Sequence, residues 1–155
     1  MSGKSHSERV LGRWMRKPTV RWMWQALPTP PAIVLVHRGR KSGRLYETPL
    51  SILVEYPERG ELVVSPMWGR DSDWYWNVTA GGLVEIRVRG ENRQVESREL
   101  GEAERRAAGE DFRDAHPIYS RMILRMLARL NGFEGDPYEA AVQRLPMLGL
   151  RRSDP

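Results

Sequence analysis

The sequence predicts a mainly β, α+β fold: about six antiparallel strands in a small closed or split barrel, with helices at its side. Three observations carry that expectation. Short apolar or alternating segments follow one another through tight glycine- and proline-bearing turns, which pairs neighbouring strands antiparallel. The helical segments gather late in the chain and do not alternate with strands, which disfavours a doubly wound parallel sheet. The 155 residues, 40% hydrophobic and 29% charged, suit one globular domain with a real core.

The chain divides into a basic, tryptophan-rich arm over 1–27 and a domain over 28–155. Residues 1–24 hold six basic side chains against the single acid Glu8, so the arm accounts for the net charge of +5. The remainder carries 19 residues of each sign and is neutral. Trp14, Met15, Trp22, Met23 and Trp24 stand among the cations, and Pro18 breaks any one long helix there. Such a segment can lie on an anionic membrane surface as a peripheral contact. It can equally cap the domain's own core while its arginines stay solvated. No nucleic-acid partner is expected, because the body has no net positive charge to track a phosphate backbone.

Pro28-Thr29-Pro30-Pro31 is a stiff linker. Strands follow at 32–38 and 45–55, and Pro57-Glu58-Arg59-Gly60 turns the chain into a third strand over 61–66. Residues 71–80 form a short helix with Asp71 or Ser72 as N-cap and Gly81-Gly82 as its stop. Leu83, Val84, Ile86 and Val88 alternate with Glu85, Arg87 and Arg89, and Gly90-Glu91-Asn92 is a hairpin turn after which 93–100 pairs back. Gly101 to Asp114 is helical in composition, and Pro117 interrupts it. Met122, Ile123, Met126, Leu127 and Leu130 then form a helical apolar stripe opposite Arg121, Arg125 and Arg129. That stripe is either core or the pairing surface of a homodimer. Asn131-Gly132 ends the helix, and 145–150 is the last strand.

Much chemistry is excluded. The chain has no cysteine, so disulfides, thiolate metal sites and cysteine nucleophiles are absent. His6, His37 and His116 show no ligand spacing, and no metal site is expected. No apolar run approaches the roughly 20 residues that span a bilayer. No signal-peptide pattern opens the chain, which makes the cytoplasm the expected location, with membrane association through the arm left open. The nucleophile elbow, the Walker loop and the dinucleotide fingerprint are all missing. If this is an enzyme, a cofactor carries the reaction and the protein positions it.

Two constellations remain. In Gly39-Arg40-Lys41-Ser42-Gly43-Arg44, three cations and backbone N–H groups sit in a loop between two strands, a site for an anion such as a phosphate. In Trp68-Gly69-Arg70-Asp71-Ser72-Asp73-Trp74-Tyr75-Trp76-Asn77, four aromatics and an arginine span a strand end and a helix start. Large rings there are walls for a flat aromatic ligand or plain core packing. Asn77, a poor helix former in mid-helix, makes a specific hydrogen bond, which is either a ligand contact or a tie to a neighbouring strand.

The order Gly39-Arg40-Lys41-Ser42-Gly43-Arg44, Pro49-Leu50, Val63-Val64-Ser65, Trp74-Tyr75-x-Asn77-Val78 resembles the deazaflavin-dependent nitroreductase family, over roughly residues 32–151. The resemblance implies an FMN-binding-like split β-barrel that holds coenzyme F-420 in a groove. It implies that Lys41, with Arg40, Ser42 and Arg44, holds the cofactor's phosphate. Pro49 and Leu50 lend backbone contacts to the ring, and Trp68, Arg70, Trp74 and Asn77 border it. It implies hydride transfer from the reduced deazaflavin to a small electron acceptor such as a quinone, an activated alkene or a nitro compound. His116-Pro117-x-Tyr119 resembles the segment lining the family's substrate side, so Tyr119 would donate a proton or orient the acceptor; otherwise it is a half-buried helix tyrosine.

The sequence also departs from the family pattern. Tyr46 stands where a second cation is frequent, Pro66-Met67-Trp68-Gly69 replaces a turn of small-polar residue, lysine and paired glycines, and Gly81-Gly82 replaces Asn-Pro. Arg44 and Arg70 are the cations that would compensate. Two alternatives therefore stand beside an F-420 reductase. One is the same barrel binding FMN, haem or another flat ligand. The other is a non-catalytic module whose pocket holds a lipid or nothing and whose arm docks on a membrane or a partner.

Overall fold

The computed structural model describes residues 30–67 and 71–153. The arm over 1–27, with its proposed membrane contact, and Trp68 and Arg70 of the aromatic constellation lie outside the described residues. Eight strands are described: β1 (Ala32–Arg38), β2 (Leu45–Ser51), β3 (Val54–Tyr56), β4 (Glu61–Val64), β5 (Leu83–Val88), β6 (Glu91–Arg93), β7 (Val95–Glu99) and β8 (Leu148–Arg152). Four α-helices accompany them: α1 (Asp73–Asn77), α2 (Glu102–Ala115), α3 (Pro117–Asn131) and α4 (Pro137–Arg144).

The strands form two antiparallel four-stranded sheets, ordered β2-β1-β5-β6 and β3-β4-β8-β7. Two bent strands serve both sheets. β2 passes into β3 across Ile52-Leu53, and β6 passes into β7 across Gln94. Counted as continuous paths, these give the six strands expected. The ladders break at both corners, so the barrel is split, not closed. The expected hairpin of 83–90 with 93–100 is only half correct: Glu91–Arg93 pairs with β5, and Val95–Glu99 leaves to pair with β8.

Between the sheets lies an apolar interior of Ile33, Leu35, Ile52, Leu62, Val64, Trp74, Tyr75, Val78, Ile86, Val88, Leu148 and Leu150. β4 is buried on both faces: Leu62 and Val64 point inward, while Val63 meets Leu100, Ala108 and Met147 beneath the helices. Helices α2, α3 and α4 form a layer on that side, knit by Phe112, Tyr119, Ile123, Leu127, Ala141 and Leu145. The stripe on α3 is thus mainly core; Ile123 and Leu127 are buried while Leu130 is exposed.

Local chemistry explains the boundaries. Pro117 opens α3 directly after the break at His116, and Gly132 closes it with a left-handed φ of 63°. Helix α4 is absent from the sequence-based expectation. Its signal is Asp136-Pro137, where Pro137 sits at the first turn and the Asp136 carboxylate accepts from the Glu139 N–H at 2.9 Å. Ser72 occupies the N-cap position of α1, but its side chain makes no cap bond, and its buried Oγ has no partner among the described residues. Helix α1 unwinds through a π turn, Val78–Gly82, inside which Gly81 takes a φ of 87°.

Candidate functional site

The anion loop begins as a β-hairpin between β1 and β2, in register from Ala32 opposite Ser51 to Arg38 opposite Leu45. The Gly39 N–H donates to the Arg44 carbonyl at 2.8 Å, and the Gly43 N–H donates to the Gly39 carbonyl at 2.9 Å. Gly43 takes a left-handed φ of 69°. Gly39 has no room for a side chain, since a Cβ there would lie 2.6 Å from Ser42 Oγ and 2.8 Å from the Tyr46 ring. Tyr46, the residue in place of a second cation, shares a hydrogen bond of 3.2 Å with Ser42 and stacks on His37. It therefore shapes the loop.

The loop's cations divide into two groups. Arg38 donates to the Gly43 carbonyl at 2.9 Å. Arg40 turns back onto α1, donating to Asn77 Oδ1 at 2.8 Å and to Asp73 Oδ1 at 3.2 Å. Its backbone N–H donates to the same Asn77 oxygen at 3.1 Å. Lys41 and Arg44 are exposed, and their charged groups have no partner among the described residues. An incoming anion thus meets Lys41, Arg44 and the Ser42 hydroxyl, while Arg40 braces the loop.

Asn77 is buried and tied on both sides. Its Oδ1 accepts from Arg40, and its Nδ2 lies 3.1 Å from His37 Nδ1. His37 continues the inward side of β1 to the end of the interior, where its Nε2 lies 2.9 Å from Thr48 Oγ1. Burial lowers the His37 pKa, and the Asp73 carboxylate partly opposes that shift. A β-bulge sits here as well, since Val36 pairs with Glu85 while His37 pairs with Leu83. Trp74 packs in the barrel interior and not along a groove, so its ring belongs to the core. The asparagine hydrogen bond inferred from sequence is the tie between helix, strand and loop. The sequence pattern alone leaves unassigned its partner on the strand, His37, and the Asp73 that holds the Arg40 on its other side. The available signal was a histidine on the inward parity of an apolar strand.

Strand β2 runs away from this loop along the edge of the first sheet. The Gly39 N–H donates to the Arg44 carbonyl and the Ile52 N–H to the Pro31 carbonyl, so alternation directs the even residues of β2 toward β1 and the odd ones outward. Leu50 therefore turns its backbone toward β1, and its side chain packs on the interior. The open edge belongs to Glu47, Pro49 and Ser51. Pro49 falls where an outward N–H would otherwise point, a position suited to an edge-strand proline.

At the far end of β2, seven residue steps or about 23 Å from Arg44, an apolar cavity of about 70 Å³ opens between sheet and helices. Ser51, Met67, Phe112, Tyr119, Ile123 and Leu145 line it. Tyr119 is buried, hydrogen-bonded to Ser51, and its pKa is raised by burial, so it holds its proton. Ser51, missed in the sequence, joins the open edge to this cavity.

Residues 9–126 match the family model described as F-420H(2)-dependent quinone reductase. No curated protein matches the sequence. Among solved structures, one described as a domain-swapped dimer shares the fold with a TM-score of 0.54 and 20% identity, covering 90% of this chain and 98% of its own. Another, an F-420-H2 dependent reductase (FDR-A), has a TM-score of 0.53 and 19% identity, covering 81% and 97%.

Proposed function

Because this chain belongs to the F-420H(2)-dependent quinone reductase family and is an F-420-dependent oxidoreductase, we propose that it carries reducing equivalents from F-420 to a quinone-type acceptor along the β2 edge. The observation that carries this reading is the pairing of two kinds of chemistry at the ends of one strand. Lys41 and Arg44, without a partner among the described residues, stand at the loop, and an apolar cavity walled by Tyr119 stands at the other end.

The donor set fits the cofactor. Lys41, Arg44 and Ser42 Oγ would hold its phosphate, and the Pro49 carbonyl and Ser51 N–H on the open edge would align its ring. Bound and reduced, the deazaflavin supplies a hydride. The protein's own part is to orient, exclude water and manage a proton. Phe112, Ile123 and Leu145 keep the acceptor's end dry. The Tyr119 hydroxyl, protonated and fixed by Ser51, is placed to hydrogen-bond a carbonyl oxygen that gains charge during reduction.

The domain that does this is 28–155. The family is defined by F-420, which speaks against FMN or haem. Among the described residues no helix is long and apolar enough to cross a bilayer. The assembly that goes with this reading is a homodimer, in keeping with the dimeric neighbour and with exposed Leu130 on α3.

Binding of F-420 measured by calorimetry, followed by oxidation of the reduced cofactor with a quinone, an activated alkene and a nitro compound, tests the reading. Saturable binding and fastest turnover with the quinone are expected. A folded protein that binds no F-420 overturns the proposal, and faster turnover with an alkene or nitro compound reassigns the acceptor.

A further inference from the structure

We infer that His37 is a positioning residue that sets the grip of the anion loop, and that it works only as the neutral Nε2–H tautomer. The inference rests on the loop being the cofactor's phosphate site.

The hydrogen bonds fix the protons. Asn77 Oδ1 accepts from both the Arg40 N–H and the Arg40 guanidinium, at 3.1 and 2.8 Å, which assigns that atom as oxygen and the other as the NH2 group. The NH2 group at 3.1 Å from His37 Nδ1 must donate, so Nδ1 carries no proton. The ring's one proton lies on Nε2 and is donated to Thr48 Oγ1 at 2.9 Å. A second proton on Nδ1 would set two donors against each other. Turning the Asn77 amide to relieve that would face its NH2 group toward Arg40 and release both bonds that brace the loop.

The surroundings do little to favour an imidazolium. Among the described residues, Asp73 of α1 is the carboxylate whose charge acts on the ring, and it is bonded to Arg40. The Arg40 guanidinium, beyond Asn77, repels a cation. From β2, Tyr46 stacks on the ring and Thr48 has no charge; from β5, Leu83 stands opposite. Protonation therefore occurs at the expense of the Asn77–Arg40 brace, and the loop loses its anion grip on acidification although Lys41 and Arg44 keep their charge.

The wild-type protein tests this directly. Imidazole nitrogen shifts should show the Nε2–H tautomer, and the Arg40 amide resonance should follow the His37 titration without ligand. Calorimetry with F-420 should show affinity about tenfold weaker once His37 is protonated, the scale expected when a charged, buried bond network is broken. His37→Asn keeps an acceptor near the Nδ1 position and cannot titrate. It should stay within about threefold of wild type at pH 7.5 and lose the acid dependence, and the comparison cancels any titration of the ligand. A proton found on Nδ1 at neutral pH, or an affinity and an Arg40 amide indifferent to His37 protonation, overturns the inference. If F-420 fails to bind at any pH, the phosphate reading falls, and the Arg40 amide alone decides whether His37 governs the loop.

Discussion

Lys41 and Arg40 are neighbours of like charge with opposite employment, and the difference decides what each substitution should do. Lys41 is exposed and touches nothing described, so Lys41→Ala should leave thermal stability unchanged. It should weaken F-420 binding by about 10- to 100-fold, the worth of one charge-assisted hydrogen bond; calorimetry reads it. Tyr119 sits at the other end of β2 with its proton held by burial. Tyr119→Phe keeps the packing, so the cofactor Kd should hold within about twofold while kcat falls about 10- to 100-fold. Single-residue roles were legible where backbone chemistry is distinctive. The glycine-bearing loop, the edge proline and the mid-helix asparagine all announced themselves. What the sequence hid was allegiance: which cation turns inward, whether Trp74 faces core or groove, and that Ser51 and His37 belong to the site. Those depend on the parity of strands against a helix far along the chain.

At the scale of elements, α1 is only five residues long, yet it braces the loop. It is held against β1 where the chain leaves its π turn, because a Cβ on Gly82 would collide with the backbone carbonyls of Arg38 and Asn77. Backbone atoms there cannot give way as a flexible side chain would. Gly82→Ala should therefore cost about 1–3 kcal/mol in chemical denaturation and should weaken F-420 binding as well, since Asn77 shifts with the turn. The sequence marked Gly81-Gly82 as a helix stop but not as a close contact. Helix α4 was overlooked although Asp136-Pro137 is a sound start signal, because its eight residues give little periodicity. By its sequence the 93–100 segment reads as one partner of β5, since alternation continues through Gln94 while the hydrogen-bonding neighbour changes.

For the whole molecule, a second polar network joins what the apolar interior does not. Glu61 of β4 is buried and meets Arg98 of β7 at 2.7 Å and Arg151 of β8 at 3.3 Å, while Arg98 also holds Glu104 at the start of α2. Burial alone would raise the Glu61 pKa; the hydrogen bond from Arg98 and the charges of Arg98, Arg151 and Arg59 outweigh it and lower it. Glu104 is brought down to about 2, first by Arg98 and then by the Gly101 N–H. Both depressed carboxylates favour the fold above their unfolded pKa of about 4.5, and that contribution fades as pH falls toward 2. Thermal melts should thus lose midpoint below about pH 4.5, and Glu61→Gln should flatten the decline; an unchanged acid profile in that variant contradicts the network's role. The overall architecture was the most legible level, since six strand paths and a lateral helix layer follow from turns and periodicity alone. The splitting of two paths at Ile52-Leu53 and Gln94 was not, because a corner is made by a change of neighbour and not of residue type. The placement of β8 has a consequence for biosynthesis. Residues 148–152 fill an inner position of the second sheet, between β4 and β7. During translation the first half can zip up as local hairpins, but β4 and β7 have no strand to bridge them until residues 148–152 have been made. Until that strand arrives, the second sheet stays in two halves.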